Sequence, residues 1–142
     1  ADVTLKEEIA AQLLYIEIER VRFPDGLAVE INIPPELETV RVPSLILQPI
    51  VENSVKHSVA TSSGQVLLAI SAKAEGDNLQ IIISDRVSDS ESRDRSQSSG
   101  TSTGLRNVRA RLNSRFGEAA SVNSTPTATG YETTLVFPVE QP

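Results

Sequence analysis

Cysteine, methionine and tryptophan are all missing from this chain, and its aromatic residues are two tyrosines and three phenylalanines. Without thiols there can be no disulfide framework and no thiolate metal site, and a reducing compartment such as the cytoplasm is expected. With aromatics at 4% of residues, the core has to be filled by Ile, Leu and Val. No apolar run approaches the roughly 20 residues a helix needs to cross a bilayer, and no basic-then-apolar leader opens the chain. Direct membrane contact is therefore not expected of this stretch. Basic residues are also in the minority, with 13 Lys and Arg against 19 Asp and Glu and a net charge of -6. Nucleic-acid surfaces need clustered cations to displace counterions from phosphates, so nucleic acid is not an expected partner. The absence of methionine and the start on Ala1 read as a piece of a longer protein. A length of 142 residues suits one packed core and is short for two.

Hydrophobic periodicity supplies the elements. Leu5, Ile9, Leu13, Ile16 and Val21 recur at near-helical spacing and predict an amphipathic helix from Val3 to Val21, with Thr4 and Glu7 placed as a capping box. Phe23-Pro24-Asp25-Gly26 ends it. Alternation at Leu27, Val29, Ile31 and Ile33 predicts a strand, stopped by Pro34-Pro35. A second helix is expected over Ser44 to Val59, with Leu47, Ile50, Val51 and Val55 on its apolar side. Glu52, Asn53, Lys56 and His57 then share its polar side. Val66 to Ala74 and Leu79 to Ser84 read as a hairpin turning at Gly76-Asp77-Asn78. The serine-rich stretch Asp85 to Thr103 has almost nothing to bury and reads as a mobile loop. Gly104 to Phe116 predicts a third helix through Leu105, Val108 and Leu112, with Arg106, Arg109, Arg111 and Arg115 facing solvent or a ligand, and Gly117 as its stop. A turn-rich segment, Asn123 to Gly130, precedes a last strand, Tyr131 to Val139.

The run from Val42 to His57, VPSLILQPIVENSVKH, closely resembles the asparagine box of LytS-type sensor histidine kinases, within the superfamily shared by gyrase, Hsp90 and MutL. The likeness extends upstream through Leu5-Lys6-Glu7-Glu8-Ile9, Tyr15 to Glu19 and Arg22-Phe23. Downstream, Gly100 to Leu112 is similar to the second glycine box and its helix, and Gly130 to Pro138 to the closing strand. The resemblance implies a two-layer α/β sandwich of the Bergerat type, whose mixed, mainly antiparallel sheet is covered on one face by helices. It divides the chain into a helix, residues 1–22, leading from a dimerisation and phosphoacceptor region, and a catalytic ATP-binding domain, residues 23–142.

The same resemblance implies ATP and Mg2+ as ligands. Magnesium prefers oxygen donors, so the Asn53 amide oxygen is the expected metal ligand. Lys56 supplies a point charge for phosphate oxygens, His57 a further hydrogen bond, and Glu52 holds a water or orients its neighbours. Asp85 is expected to accept a hydrogen bond from the exocyclic amine of adenine, which discriminates against guanine. Gly100, Thr101, Gly104 and Leu105 are expected at the phosphates, where free N–H groups at a helix start favour an anion. The implied activity is transfer of the γ-phosphoryl group to a histidine on a separate dimerisation domain. A response regulator would receive it next, and the full-length protein would be a homodimer anchored in the inner membrane. His57, the only histidine, belongs to the asparagine box and is not the acceptor.

Three departures stand against full activity. The first glycine box, an aspartate with glycines two and four places on, here reads Asp85-Arg86-Val87-Ser88-Asp89, the second box has Ser102 where a middle glycine is common, and Gly130 is followed by Tyr131 in place of the usual threonine. A degenerate nucleotide-binding regulatory module is therefore the main alternative, and a serine kinase acting on an anti-sigma partner is a third.

Overall fold

The computed structural model describes residues 2–22, 26–61, 65–87, 103–128 and 130–139. A short strand, β1 (Asp2–Thr4), leads into helix α1 (Leu5–Arg22), followed by β2 (Leu27–Asn32), a single 3₁₀ turn at Pro35–Leu37 and β3 (Arg41–Pro43). Helix α2 (Gln48–Thr61), strands β4 (Val66–Glu75) and β5 (Asn78–Val87), helix α3 (Thr103–Phe116) and strands β6 (Ser121–Pro126) and β7 (Gly130–Pro138) complete the order. The main sheet runs β2-β4-β5-β7-β6, with β2 parallel to β4 and the other neighbours antiparallel. β1 and β3 form a separate antiparallel pair.

Strand alternation decides which face the helices cover. Val66, Leu68 and Ile70 of β4, Leu79, Ile81 and Ile83 of β5, and Leu135 and Phe137 of β7 are buried. Their neighbours Leu67, Ala69, Ile82 and Thr134 are only partly covered. Leu5, Ile9 and Ile16 of α1, Ile50, Val51 and Val55 of α2, and Leu105, Val108 and Leu112 of α3 join the same core. The result is a two-layer sandwich with helices on one face. Each fully buried Leu or Ile side chain contributes about 1.5–3 kcal/mol, so this layer outweighs any surface ion pair at about 0–1 kcal/mol.

Local chemistry sets the ends of the elements. Thr4 Oγ1 accepts from Glu7 N at 3.1 Å and Thr4 N donates to Glu7 Oε1 at 2.9 Å, the expected capping box. Hydrogen bonding to the Thr4 backbone N–H first, and to the Thr4 side chain second, holds the Glu7 carboxyl below the usual glutamate range. Gly76 (φ +60°) makes the two-residue β4–β5 turn, and Gly117 (φ +63°) ends α3. Helix α1 also carries a second apolar stripe, Leu14, Ile18 and Val21, exposed at 65%, 59% and 80% on the side away from the core.

Four expectations are corrected. The first helix begins at Leu5, because Asp2–Thr4 pair with β3. The second begins at Gln48, and Ser44 to Leu47 form a turn. Strand β5 does not end at Ser84: Asp85, Arg86 and Val87 stay in the ladder opposite Leu68, Leu67 and Val66, where the β-branched Val87 suits extended backbone. The remainder of the expected mobile loop, from Ser88 to Ser102, lies outside the described residues. The turn expected from Asn123 on is strand as far as Pro126, in β6, whose sequence Ser-Val-Asn-Ser-Thr-Pro has one apolar residue. It forms at the sheet edge, where only Val122 needs burial and Pro126 costs no ladder bond.

Candidate functional site

Helix α2 starts where Pro49, lacking an N–H, does no harm, and Ile50 N and Val51 N return to Leu47 O at 3.1 and 2.9 Å. With Ile50, Val51 and Val55 turned inward, Glu52 is half-buried while Asn53 and Lys56 are exposed on the outer flank. Gln48 Nε2 donates to Glu52 Oε2 at 2.9 Å, one helical turn apart, which orients the Glu52 carboxylate along the helix. His57 is in the same helix, and its side chain lies outside the described residues.

Asp85 is the residue that breaks the pattern of the core. On β5 the row Leu79, Ile81, Ile83 points at the helices, and the next position in that row is a carboxylate only 3% exposed. Its register partner on β7 is Tyr131, whose backbone N–H reaches Asp85 Oδ1 at 3.3 Å. Beside it, Gly130 leaves no room for a side chain. A Cβ there would fall inside the Asp85 carbonyl oxygen and lie 2.7 Å from Oδ1. The requirement at Gly130 is for space, not for an unusual φ. A buried carboxylate at the end of an apolar strand row can accept hydrogen bonds from a flat polar ligand edge.

Gly104, in the first turn of α3, is packed against α2: a Cβ on it would meet Pro49 Cβ at 3.1 Å. Leu105 is buried beneath it. The second glycine box and the asparagine box are thus in contact at Gly104 and Pro49. Gly100 and Thr101 lie outside the described residues. The arginines of α3 are committed to protein groups more than was expected. Arg109 Nε donates to Val122 O at 3.0 Å, Arg111 to Ser44 O and Leu45 O at 2.8 and 3.3 Å, and Arg115 forms a two-pronged ion pair with Asp2 at 2.6 and 2.7 Å. Arg106 is exposed. A cleft of about 460 Å³ between α3 and β6, lined by Arg109, Leu112, Asn113 and Val122, includes none of the predicted site residues.

One participant was missed altogether. Glu8 of α1, 2% exposed, accepts Leu45 N at 2.9 Å and Leu47 N at 2.8 Å, binding the turn that launches α2. The signal available in the sequence was a glutamate on the core side of the α1 periodicity, one turn after Thr4.

Comparison with known proteins agrees with this geometry. The family model described as histidine kinase-, DNA gyrase B-, and HSP90-like ATPase matches residues 40–141. Sensor histidine kinase BtsS of Escherichia coli K12 is 37% identical over 116 residues, covering 82% of this chain and 20% of that protein. Sensor histidine kinase/phosphatase LytS of Staphylococcus aureus is 27% identical over 149 residues, covering 98% of this chain and 25% of LytS. The chain therefore spans about a fifth to a quarter of the curated relatives it matches. Among solved structures, the catalytic domain of histidine kinase ThkA superposes with a TM-score of 0.69 at 12% identity, covering 97% of this chain and 94% of that one. The mycobacterial sensor histidine kinase MprB gives 0.64 at 18%, covering 100% and 99%. With the asparagine-box helix, the buried strand aspartate and the glycine against it all in one sandwich, the chain belongs to the histidine kinase-, DNA gyrase B- and HSP90-like ATPase family, as a domain of the ATP-binding catalytic kind found in sensor histidine kinases.

Proposed function

We propose that this domain binds Mg-ATP and donates the γ-phosphoryl group to a histidine on a separate dimerisation domain of the same protein, from which a response regulator is charged. The observation that carries the reading is Asp85, a buried carboxylate at the end of an apolar row with Gly130 packed closely against its backbone. Asp85 accepts the exocyclic amine of adenine, and guanine, with an oxygen at that edge, is refused. Lys56 meets phosphate oxygens as a point charge, and His57 adds a hydrogen bond there. Gly104 and Leu105 offer backbone N–H groups in the first turn of α3 to the phosphates, and Gly100 and Thr101, just before it in the sequence, are assigned to the same phosphates. Glu52, oriented by Gln48, holds a water or aligns Asn53.

The donor set fits magnesium. Among the described residues no three His, Cys, Asp or Glu side chains come together to enclose a metal, so an ion here would be held by the exposed Asn53 amide oxygen, phosphates and water, a mixture magnesium favours. When bound, magnesium neutralises charge on the phosphates during transfer. The protein's own share is positioning, with the bond to the ADP oxygen breaking as the bond to the acceptor nitrogen forms. The stretch 1–22, which contains helix α1 (Leu5–Arg22), links this domain to the dimerisation region, and the whole protein acts as a membrane-anchored homodimer with this domain on the cytoplasmic side. No helix among the described residues is long and apolar enough to cross a membrane.

A second reading, a regulatory module with little transfer, is favoured by one feature: β5 stays paired through Arg86 and Val87, where the family's pattern places the first glycine. Following label from ATP into acid-labile phosphohistidine, after adding back the preceding helical region, separates the two. Transfer supports the kinase; ATP binding without transfer supports the module. The isolated chain should not phosphorylate itself, and stable phosphate on His57 would contradict the assignment of an acceptor elsewhere.

A further inference from the structure

We infer that Glu8 is a positioning residue for the nucleotide site, a carboxylate on α1 that fixes the turn from which α2 and Asn53 depart. This rests on the role proposed above for Asn53. Leu45 stands at φ +60°, a conformation that leucine resists, with its side chain 53% exposed, so burial does not compensate the strain. A residue in the left-handed region turns neighbouring amides to one side and makes a concavity for an anion. Here the anion is internal: the N–H groups of Leu45 and Leu47 donate to the two oxygens of Glu8 at 2.9 and 2.8 Å. The carbonyls of the same turn are held from the opposite element, since Arg111 of α3 donates to Ser44 O and Leu45 O. Leu47 O then receives Ile50 N and Val51 N as the first bonds of α2, and Asn53 follows six residues after Leu47.

The turn is therefore gripped on its N–H side by α1 and on its carbonyl side by α3. Gly104 touches Pro49 at the same junction, so loosening the grip moves the asparagine box relative to the second glycine box. A carboxylate is required because both oxygens must accept. A carboxamide presents an N–H to one of the two amides and repels it.

The test compares Glu8→Gln and Arg111→Ala with the parent chain, well below each melting temperature. Mg-ATP affinity by calorimetry should fall about tenfold in Glu8→Gln and less in Arg111→Ala, an exposed residue whose loss leaves the core intact. In both variants the amides of Leu45 and Leu47 should exchange faster with solvent, and the Asn53 side-chain amide resonances should shift without nucleotide. If Glu8→Gln does not fold, Arg111→Ala carries the test. Parental affinity in a folded Glu8→Gln, or in Arg111→Ala where that variant alone folds, overturns the inference. If the parent itself does not bind Mg-ATP, the reading of the site fails, and the resonances decide about Glu8: unchanged Leu45, Leu47 and Asn53 signals overturn it, shifted ones support it.

Discussion

Replacing Gly130 by alanine puts a methyl group where the backbone of Asp85 already is. The added Cβ would overlap the Asp85 carbonyl oxygen and lie 2.7 Å from Asp85 Oδ1, so one strand has to move by on the order of 1 Å to restore ordinary contact distances. Strand β7 is not free to yield. Gly130 N donates to Thr127 Oγ1 at 2.9 Å, and Gly130 O accepts Thr127 N at 2.8 Å in the turn from β6. The cheapest relief is to open the last rungs between β5 and β7, Arg86↔Gly130 and Asp85↔Tyr131. Two hydrogen bonds at about 1 kcal/mol each, less about 0.5 kcal/mol gained from the stiffer unfolded chain, leave a loss of about 1.5 kcal/mol. For a domain of this size that lowers the melting temperature by about 5 °C. Asp85 moves with the opened rungs, and a displacement on the order of 1 Å exceeds the width of the hydrogen-bond distance range, so nucleotide affinity should fall by at least about tenfold. Circular dichroism melts and calorimetry with Mg-ATP read the two effects separately. A Gly130→Ala variant that melts with the parent and binds equally well would refute the reasoning.

Gln12 is fully buried on α1, and neither its Nε2 nor its Oε1 has a hydrogen-bond partner among the described residues. Gln12→Leu should stabilise the fold by about 1 kcal/mol, read as a higher denaturation midpoint in urea. The Asp2 carboxyl is held below the ordinary aspartate range, first by its hydrogen bond from Arg115, while burial opposes this. Because the folded value is the lower one, the stabilisation is present above the ordinary aspartate value and is lost as pH falls through the lowered one. The pair is largely solvated, so its contribution is about 0.5 kcal/mol. Asp2→Asn should cost that much near neutral pH and nothing in strong acid, measured as melting temperature against pH.

Where the sequence was legible, one interaction dominated each element. Period 3.6 at Leu105, Val108 and Leu112 placed α3, and Gly76-Asp77 placed the β4–β5 hairpin, because burial and positive φ leave few choices there. Strand β6 was not legible, since an edge strand needs only Val122 and takes the rest of its stability from pairing with β7. The continuation of β5 through Val87 was hidden for a similar reason: its partner Val66 stands far away in the sequence. The polar residues of α2 could be assigned to a face from spacing alone. Glu8 could not, because its partners are backbone amides 37 and 39 residues away, and amides leave no mark in side-chain identity.

The most direct measurement is titration of Mg-ATP into the chain and into Asn53→Ala, with and without Mg2+. Asn53 is exposed, so the variant should melt with the parent. If its amide oxygen is the protein's hold on the metal, parent binding should depend on Mg2+ and fall by at least about tenfold in the variant. Equal affinity in parent and variant, or binding that ignores Mg2+, would contradict the assignment.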